Sequence, residues 1–215
     1  MVKYKDHRQS MDDTLYTIGH SNHEAEYFVE LLKKNGVNVV VDVRSTPFSQ
    51  YTTQFNKNEI KKTLNDHGLV YIHMGEEFGA RREDRSLYDT DGRLDFELTK
   101  KSDAFRNGVR RIEDGLEKGY HIAFMCAEKH PEDCHRCILV GKAFHDMGYT
   151  VLNILEDGST MSQDEVGELL LQKYYPDRNQ VSIFTLENPV SEEEYLEKAY
   201  RKREKDIAYS MVGEE

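Results

Sequence analysis

Eleven side chains that could do chemistry stand at the ends of short apolar runs, or soon after them. Carboxylates and imidazoles can transfer protons, thiols can attack or bind a metal, and guanidinium groups can hold anions. If the apolar runs are parallel strands, their carboxyl ends meet at one edge of a sheet, where open α/β sheets bind ligands. The residues concerned are His20, Asp42, Arg44, Ser45, His73, Glu76, Cys126, Glu128, Cys134, His135 and Arg136.

Four of these residues are candidates for the reaction itself. Asp42, Glu128 and His20 could act as general acids or bases, and Cys126 could be a nucleophile. Two structural alternatives stay open. Asp42 and Arg44 lie two residues apart on one strand face and could form an ion pair, and Cys126 could be a small buried apolar residue.

The other candidates would bind a ligand. Arg44 and Arg136 could hold anionic groups, and the helix expected to begin near Cys134 would add N–H groups that favour a phosphate or carboxylate. The same electropositive helix end would lower the pKa of a nearby thiol. Alternatively, Arg136 pairs with Glu128 or Glu132 and only staples the loop. The full ligand-binding set is Arg44, Ser45, His73, Glu76, Cys134, His135 and Arg136.

The segment CAEKHPEDCHRC, residues 126–137, fits several kinds of thiol site incompletely. A phosphatase loop has five residues between its Cys and Arg, whereas Cys126 and Arg136 are ten positions apart. Asp42-Val43-Arg44 also occurs in rhodanese-like domains, but three residues carry little weight. A zinc deaminase has the Cys-x-Glu and Cys-x-x-Cys signature. Here only five residues separate Glu128 from Cys134, which leaves no room for the intervening helix and strand.

A metal site is therefore a minor expectation. Cys126, Cys134, Cys137 and a histidine could bind a metal, although Cys137 lies one turn into a helix and could face the core. The deaminase spacing fails, so we predict no cofactor and no stoichiometric zinc.

The alternation of short β-branched runs with amphipathic stretches predicts the fold class. We expect an α/β fold with a Rossmann-like, mostly parallel sheet and helices on both faces. Ser21 with Glu24, and Ser162 with Glu165, have the capping-box pattern that begins a helix. The predicted strands are residues 15–18, 37–43, 69–73, 120–125 and 150–155, with a further possible strand at 181–186.

The domain division follows from the same pattern. Residues 1–13 are predicted to be a disordered tail, 14–176 the α/β domain, and 177–215 an appendage that ends in a charged helix from 191 onward. Residues 81–95 are charged and aperiodic, which indicates either a functional lid or disorder.

Composition excludes several classes of protein. The 215 residues have 29 Lys and Arg against 40 Asp and Glu, so the net charge of −11 disfavours nucleic acid and acidic membranes as partners. No apolar run reaches the roughly 20 residues that span a bilayer, and the first residues have no apolar signal region. We expect a cytoplasmic protein with three reduced cysteines.

Four segments resemble the DUF488 family, over about residues 15–155. They are YTIGHSN (16–22), VDVRSTPFS (41–49), the stretch from Phe55 to YIHMGEEFGAR (71–81), and MCAEKHPEDCHR (125–136). The chain departs from the family at residues 77–80, where a Leu-Gly-Gly pattern is usual. The resemblance implies a Rossmann-like α/β fold and no particular reaction.

Three functions remain open on these grounds. The first is an enzyme, such as a hydrolase or transferase, that acts on a phosphate-bearing small molecule, nucleotide or nucleic-acid end. The second is a non-catalytic module that binds such a ligand or nucleic acid. The third is a metal-binding protein.

Overall fold

A single mixed sheet organises the chain. The computed structural model describes residues 13–179 and 190–211. The strands are β1 Thr14–Gly19, β2 Val39–Asp42, β3 Val70–His73, β4 Ile122–Cys126, β5 Thr150–Ile154 and β6 Thr160–Ser162. Their order is β3-β2-β4-β1-β5-β6, and every pair of neighbours is parallel except β5 and β6. The predicted fold class is confirmed, and the carboxyl ends of β1 to β4 lie at one edge, here called the carboxyl-end edge.

Helices cover both faces of this sheet because its central strands are buried on both sides. In β2, Val39 and Val41 pack into one apolar core and Val40 packs into the other. The first core also receives α5 to α8, and the second receives α1 and α2. The helices are α1 Ala25–Lys34, α2 Lys57–Asp66, α3 Gly75–Phe78, α4 Phe96–Lys101, α5 Asp103–Glu117, α6 Lys142–Asp146, α7 Gln163–Tyr174 and α8 Glu192–Ile207. A π-helical stretch, Arg136–Gly141, leads directly into α6.

Several local predictions can be compared with these bounds. The capping box of Ser162 and Glu165 is confirmed at the start of α7. The one proposed at Ser21 and Glu24 is wrong, because Ser21 adopts a positive φ of 48° in a turn and α1 begins only after Glu24, whose side chain makes no cap. Strand β6 was not predicted. The possible strand at 181–186 and nearly all of the 1–13 tail lie outside the described residues.

The loop at 81–95 is folded onto the domain. Leu94 is buried in the core, and its N–H donates to the carbonyl of Tyr209 after α8. Helix α8 confirms the charged C-terminal helix and packs against α7, with Ala199 and Tyr200 buried in the first core. The loop is therefore ordered, and its use as a lid stays a prediction.

Within the described part of the chain, every helix is too short or too polar to cross a membrane.

Candidate functional site

Four reactive side chains meet at the carboxyl-end edge. Cys126 ends β4, Glu128 follows it, and Cys134 and His135 begin the helical stretch that continues into α6. One ligand atom from each, two sulfurs, a carboxylate oxygen and an imidazole nitrogen, lies within 4.8 Å of all the others. We call this group the thiol cluster.

The geometry of the thiol cluster is set by fixed partners around it. The Nδ1 atom of His135 lies 3.8 Å from Cys126 Sγ and 4.0 Å from Cys134 Sγ. Its other nitrogen, Nε2, donates to the carbonyl of Val43 at 3.1 Å, so the lone pair of a neutral ring is on Nδ1 and faces the sulfurs. Glu128 Oε2 lies 2.7 Å from Cys134 Sγ, within hydrogen-bond distance. Both thiols are buried. Glu128 is exposed as a residue, but its carboxyl group turns inward to Cys134 and loses much of its hydration.

Gly19 and Arg136 fix the backbone of the loop that carries Glu128. A Cβ atom on Gly19 would lie 1.9 Å from the carbonyl oxygen of Glu128, so only glycine allows the loop this close to β1. The guanidinium of Arg136 is 0 % exposed and donates to the carbonyls of Glu128 and Lys129, at 2.6 and 3.1 Å. Arg136 therefore staples the loop through backbone carbonyls rather than carboxylates, and it has no surface for an outside anion.

Burial and neighbouring charges move the pKa values of the thiol cluster in opposite directions. Burial, with Cys134 beside it, raises the pKa of Cys126 well above its usual range. Burial also opposes ionisation of Cys134, but its hydrogen bond with Cys126, the Arg136 charge and His135 bring its pKa well below the usual range. Loss of hydration, and then the charge of Cys134, raises the pKa of Glu128. Cys134 is thus the sulfur most easily present as thiolate, and Cys126 is a poor nucleophile.

The third cysteine lies apart from this group. The thiol of Cys137 contacts Gln163 Oε1 at 3.5 Å in the protein interior, and burial raises its pKa to about 12. Cys137 is accordingly a core residue, as the alternative interpretation of its position predicted.

Asp42 and Arg44 form a buried ion pair beneath the edge. The Asp42 carboxylate is 0 % exposed and accepts from Arg44 Nε at 2.9 Å and Nη2 at 2.7 Å. The hydroxyl of Tyr71 also donates to it, at 2.7 Å, and Arg44 donates to the carbonyl of Phe55. These contacts agree with the structural alternative for the pair, because the Asp42 carboxylate has no surface that a substrate could reach.

His20 belongs to the same buried network. Its ring stacks on Phe55, its Nδ1 donates to the carbonyl of Ser21, and its Nε2 accepts from Arg44 Nη1 at 3.0 Å. Burial and the adjacent Arg44 charge lower the pKa of His20 to about 4. The ring is therefore neutral near pH 7, and both of its nitrogens are occupied.

The remaining predicted residues line a neighbouring groove of about 1000 Å³. Ser45 accepts the N–H of Arg81, His73 donates to the carbonyl of Arg44, and Glu76 is exposed on the groove wall. The segment 43–45 joins the two regions, since the carbonyl of Val43 holds His135 and the side chain of Ser45 faces the groove. The other charged residues of the groove include Arg81, Arg82, Lys101 and Arg106, with Glu83, Asp84 and Asp103.

The predicted site residues thus lie at one edge but fall into three groups: the thiol cluster with Arg136, the buried network, and the groove. Sequence reasoning missed Gly19, Phe55 and Tyr71, which position the others. Each of them lies in a segment that carries the family resemblance, but nothing in its residue type indicates the contact it makes.

The chemistry available differs between the three groups. The thiol cluster can bind a divalent metal or move a proton, because its donors converge and one of them is exposed. The buried network is rigid and satisfied, so its role is to position. The groove is large enough for a nucleotide-sized ligand.

Comparison with known proteins identifies the family. A family model described as "Domain of unknown function DUF488" matches residues 24–142, more than half of the chain. No curated protein and no solved structure is similar enough to this chain to count as a match. The matched region contains β2, β3, β4 and all four members of the thiol cluster. The chain therefore belongs to the DUF488 family.

Proposed function

We propose that this chain is an enzyme that acts on a phosphate-bearing small molecule, a nucleotide or a nucleic-acid end at the carboxyl-end edge. The observation that carries the proposal is the thiol cluster: two buried sulfurs, an imidazole and the carboxyl group of an exposed residue within 4.8 Å of one another. Such a group is costly to assemble by burial, and perturbed acid–base groups concentrate at reaction sites.

Glu128 is the proposed acid–base catalyst. It is the exposed residue of the thiol cluster, so of the four it is the one that a substrate can approach. Its raised pKa brings it nearer to neutrality, where a carboxyl group can both give and take a proton. Cys126 is not assigned the nucleophile, because it is 2 % exposed and burial raises the pKa of its thiol.

The groove is the proposed binding site for the rest of the substrate. Lys101, Arg106 and Arg81 could meet an anionic substrate there, with Ser45 and His73 at the end next to the thiol cluster. The guanidinium of Arg82 is held by the carbonyls of Glu76 and Glu77. This assignment replaces Arg44 and Arg136, whose guanidinium groups are committed to internal partners. The net charge of −11 favours a small anion or a nucleic-acid end over a long polyanion. A reducing cytoplasm suits the three thiols.

The proposal is tested by turnover of phosphate monoesters, nucleotides and end-phosphorylated oligonucleotides. We expect one class to be converted by the wild type, and Glu128→Gln to lower kcat by about 100-fold or more, as loss of an acid–base group does. Glu117→Gln is the matched control, because Glu117 is exposed at the end of α5, which precedes β4 and lies at the opposite edge. Lys101→Ala should raise KM with little change in kcat.

The alternative of a non-catalytic binding module makes a different prediction in the same assays. Ligands would raise the melting temperature of the wild type by mass action and would be recovered unchanged. Glu128→Gln would then alter affinity alone.

A further inference from the structure

We propose that the thiol cluster is a zinc site in which Cys126, Cys134 and His135 bind the ion and Glu128 lies beside a fourth, open position. This inference goes beyond the proposed function, because the site can be occupied and measured whatever reaction takes place at the edge. The proposal rests on four properties of the cluster: its distances, the orientation of its histidine, its burial and its charge.

The distances fit a tetrahedral ion. Zinc binds sulfur at about 2.3 Å and imidazole nitrogen at about 2.0–2.1 Å, so its ligand atoms lie roughly 3.6–3.8 Å apart. The Nδ1 atom of His135 lies 3.8 and 4.0 Å from the two sulfurs. Glu128 Oε2 lies only 2.7 Å from Cys134 Sγ, which is too close for two ligands of one ion, so Glu128 stands beside the site and keeps its acid–base role.

The histidine is held as metal-binding histidines usually are. A ligating imidazole donates its second N–H to a carbonyl or carboxylate, which fixes the ring and keeps the metal-facing nitrogen unprotonated. Here Nε2 donates to the carbonyl of Val43 at 3.1 Å, and Nδ1 faces the two sulfurs. The backbone N–H of Arg136 donates to Cys134 Sγ at 3.5 Å, which also fixes the position of that sulfur.

Burial and charge are also matched to a cation with thiolate ligands. Both sulfurs are at most 2 % exposed, which suits ligands better than groups that must reach a substrate. Two thiolates balance the charge of Zn²⁺ and leave a neutral centre. The guanidinium of Arg136, fully buried next to Cys134, stabilises negative charge on that sulfur.

The expectation of no zinc came from a different arrangement. It assumed that Cys134 and Cys137 would ligate together, as in a deaminase, and the spacing to Glu128 was too short for that. In the structure Cys137 faces Gln163, and His135 takes the place beside Cys134. The choice of metal follows from the donors, since two sulfurs with one imidazole suit zinc better than magnesium or calcium.

Zinc binding by the full chain tests the proposal directly. We expect about one zinc ion per chain after purification without chelator. Zinc returned to the chelator-treated protein should bind with an affinity that Cys134→Ser and His135→Ala each lower by at least about 100-fold. Cys137→Ala is the matched control, because it removes a buried thiol outside the cluster and should leave zinc affinity unchanged. Far-UV circular dichroism reports whether each variant is folded.

A second measurement needs no variant. Cobalt(II) added to the metal-free wild type should give the near-ultraviolet absorption of cobalt–thiolate bonds, and zinc should displace it. Zinc far below one ion per chain together with no such absorption would overturn the proposal. Equal loss of zinc from the Cys134→Ser and Cys137→Ala variants would overturn it as well. Neither result depends on turnover, so the proposed enzymatic function could fail while the zinc site stands, or the reverse.

Discussion

Replacing Asp42 with asparagine is the clearest test of what supports the carboxyl-end edge. The carboxylate accepts four hydrogen bonds, three from Arg44 (backbone N, Nε and Nη2) and one from Tyr71. Asparagine removes the negative charge and puts an NH₂ group where one oxygen accepted from donors. The Arg44 guanidinium, 7 % exposed, is then left without its counter-ion.

The structure gives the size of the effect. Breaking a buried ion pair by removing one partner costs about 3–5 kcal/mol. For a domain of this size that free energy corresponds to a melting temperature lower by roughly 6–20 °C. Tyr71→Phe removes one hydrogen bond to the same carboxylate and keeps the ion pair, so it should cost less, about 1.5–3 kcal/mol.

Urea unfolding followed by circular dichroism measures these differences, and an unchanged m-value shows that the variants unfold in the same way. Asp66→Asn is the matched control, because Asp66 pairs with Lys62 on the exposed surface of α2. That change should leave the unfolding curve in place. If Asp42→Asn were equally harmless, Asp42 would not be the counter-ion of Arg44, and its carboxylate would again be a candidate for contact with substrate.

Three further changes test other contacts at this edge. Gly19→Ala puts a Cβ atom against the carbonyl of Glu128, so it should cost about 1–3 kcal/mol in the same urea assay and weaken zinc binding; a neutral result would mean that the loop does not need the close approach. Arg136→Lys keeps the charge but loses the planar guanidinium that donates to two carbonyls, so the melting temperature should fall. The rise in melting temperature on adding a phosphate-bearing ligand should stay equal to that of the wild type. His20 has a folded pKa of about 4 against 6.5 for the ordinary side chain, so the unfolded chain binds more protons between these values. Stability should therefore fall by about 3 kcal/mol as the pH is lowered from 6.5 to 4, and a His20→Gln variant that loses as much over the same range would contradict this origin.

Most of the sheet could be predicted from the sequence because parallel strands have a strong local signal. The apolar stretch at 37–43 indicated a strand buried on both faces, and β2 has that property. The alternation of strands and helices was then sufficient to predict that His20, Asp42, His73 and Cys126 lie at one edge. The short strand β6 has no such signal, since its three residues are stabilised by pairing with β5.

The partners of the site residues could not be predicted, because they are distant in sequence. Arg136 was expected to face a ligand, but its guanidinium reaches backward to the carbonyls of residues 128 and 129. A local pattern cannot indicate that contact, since any backbone carbonyl can accept it. The same holds for the His135 ring, whose orientation depends on the carbonyl of Val43, 92 positions away.

The direction in which the Cys137 side chain points could not be predicted from the spacing of the cysteines. Cys-x-x-Cys spacing predicts two sulfurs that ligate together, and only the position of Gln163 in α7 reveals that the second sulfur points away. Glu128 was predicted as an acid–base group, and the structure puts its carboxyl group beside Cys134. The donor set was therefore present in the sequence, but the membership of the cluster was decided by tertiary packing.

Anomalous diffraction at the zinc absorption edge, from crystals of the full chain purified without chelator, tests the central claim most directly. We predict one strong peak per chain, bonded to Cys126 Sγ, Cys134 Sγ and His135 Nδ1. A map with no peak among these atoms, or with zinc bound only to surface histidines, would contradict the assignment of the thiol cluster as a metal centre.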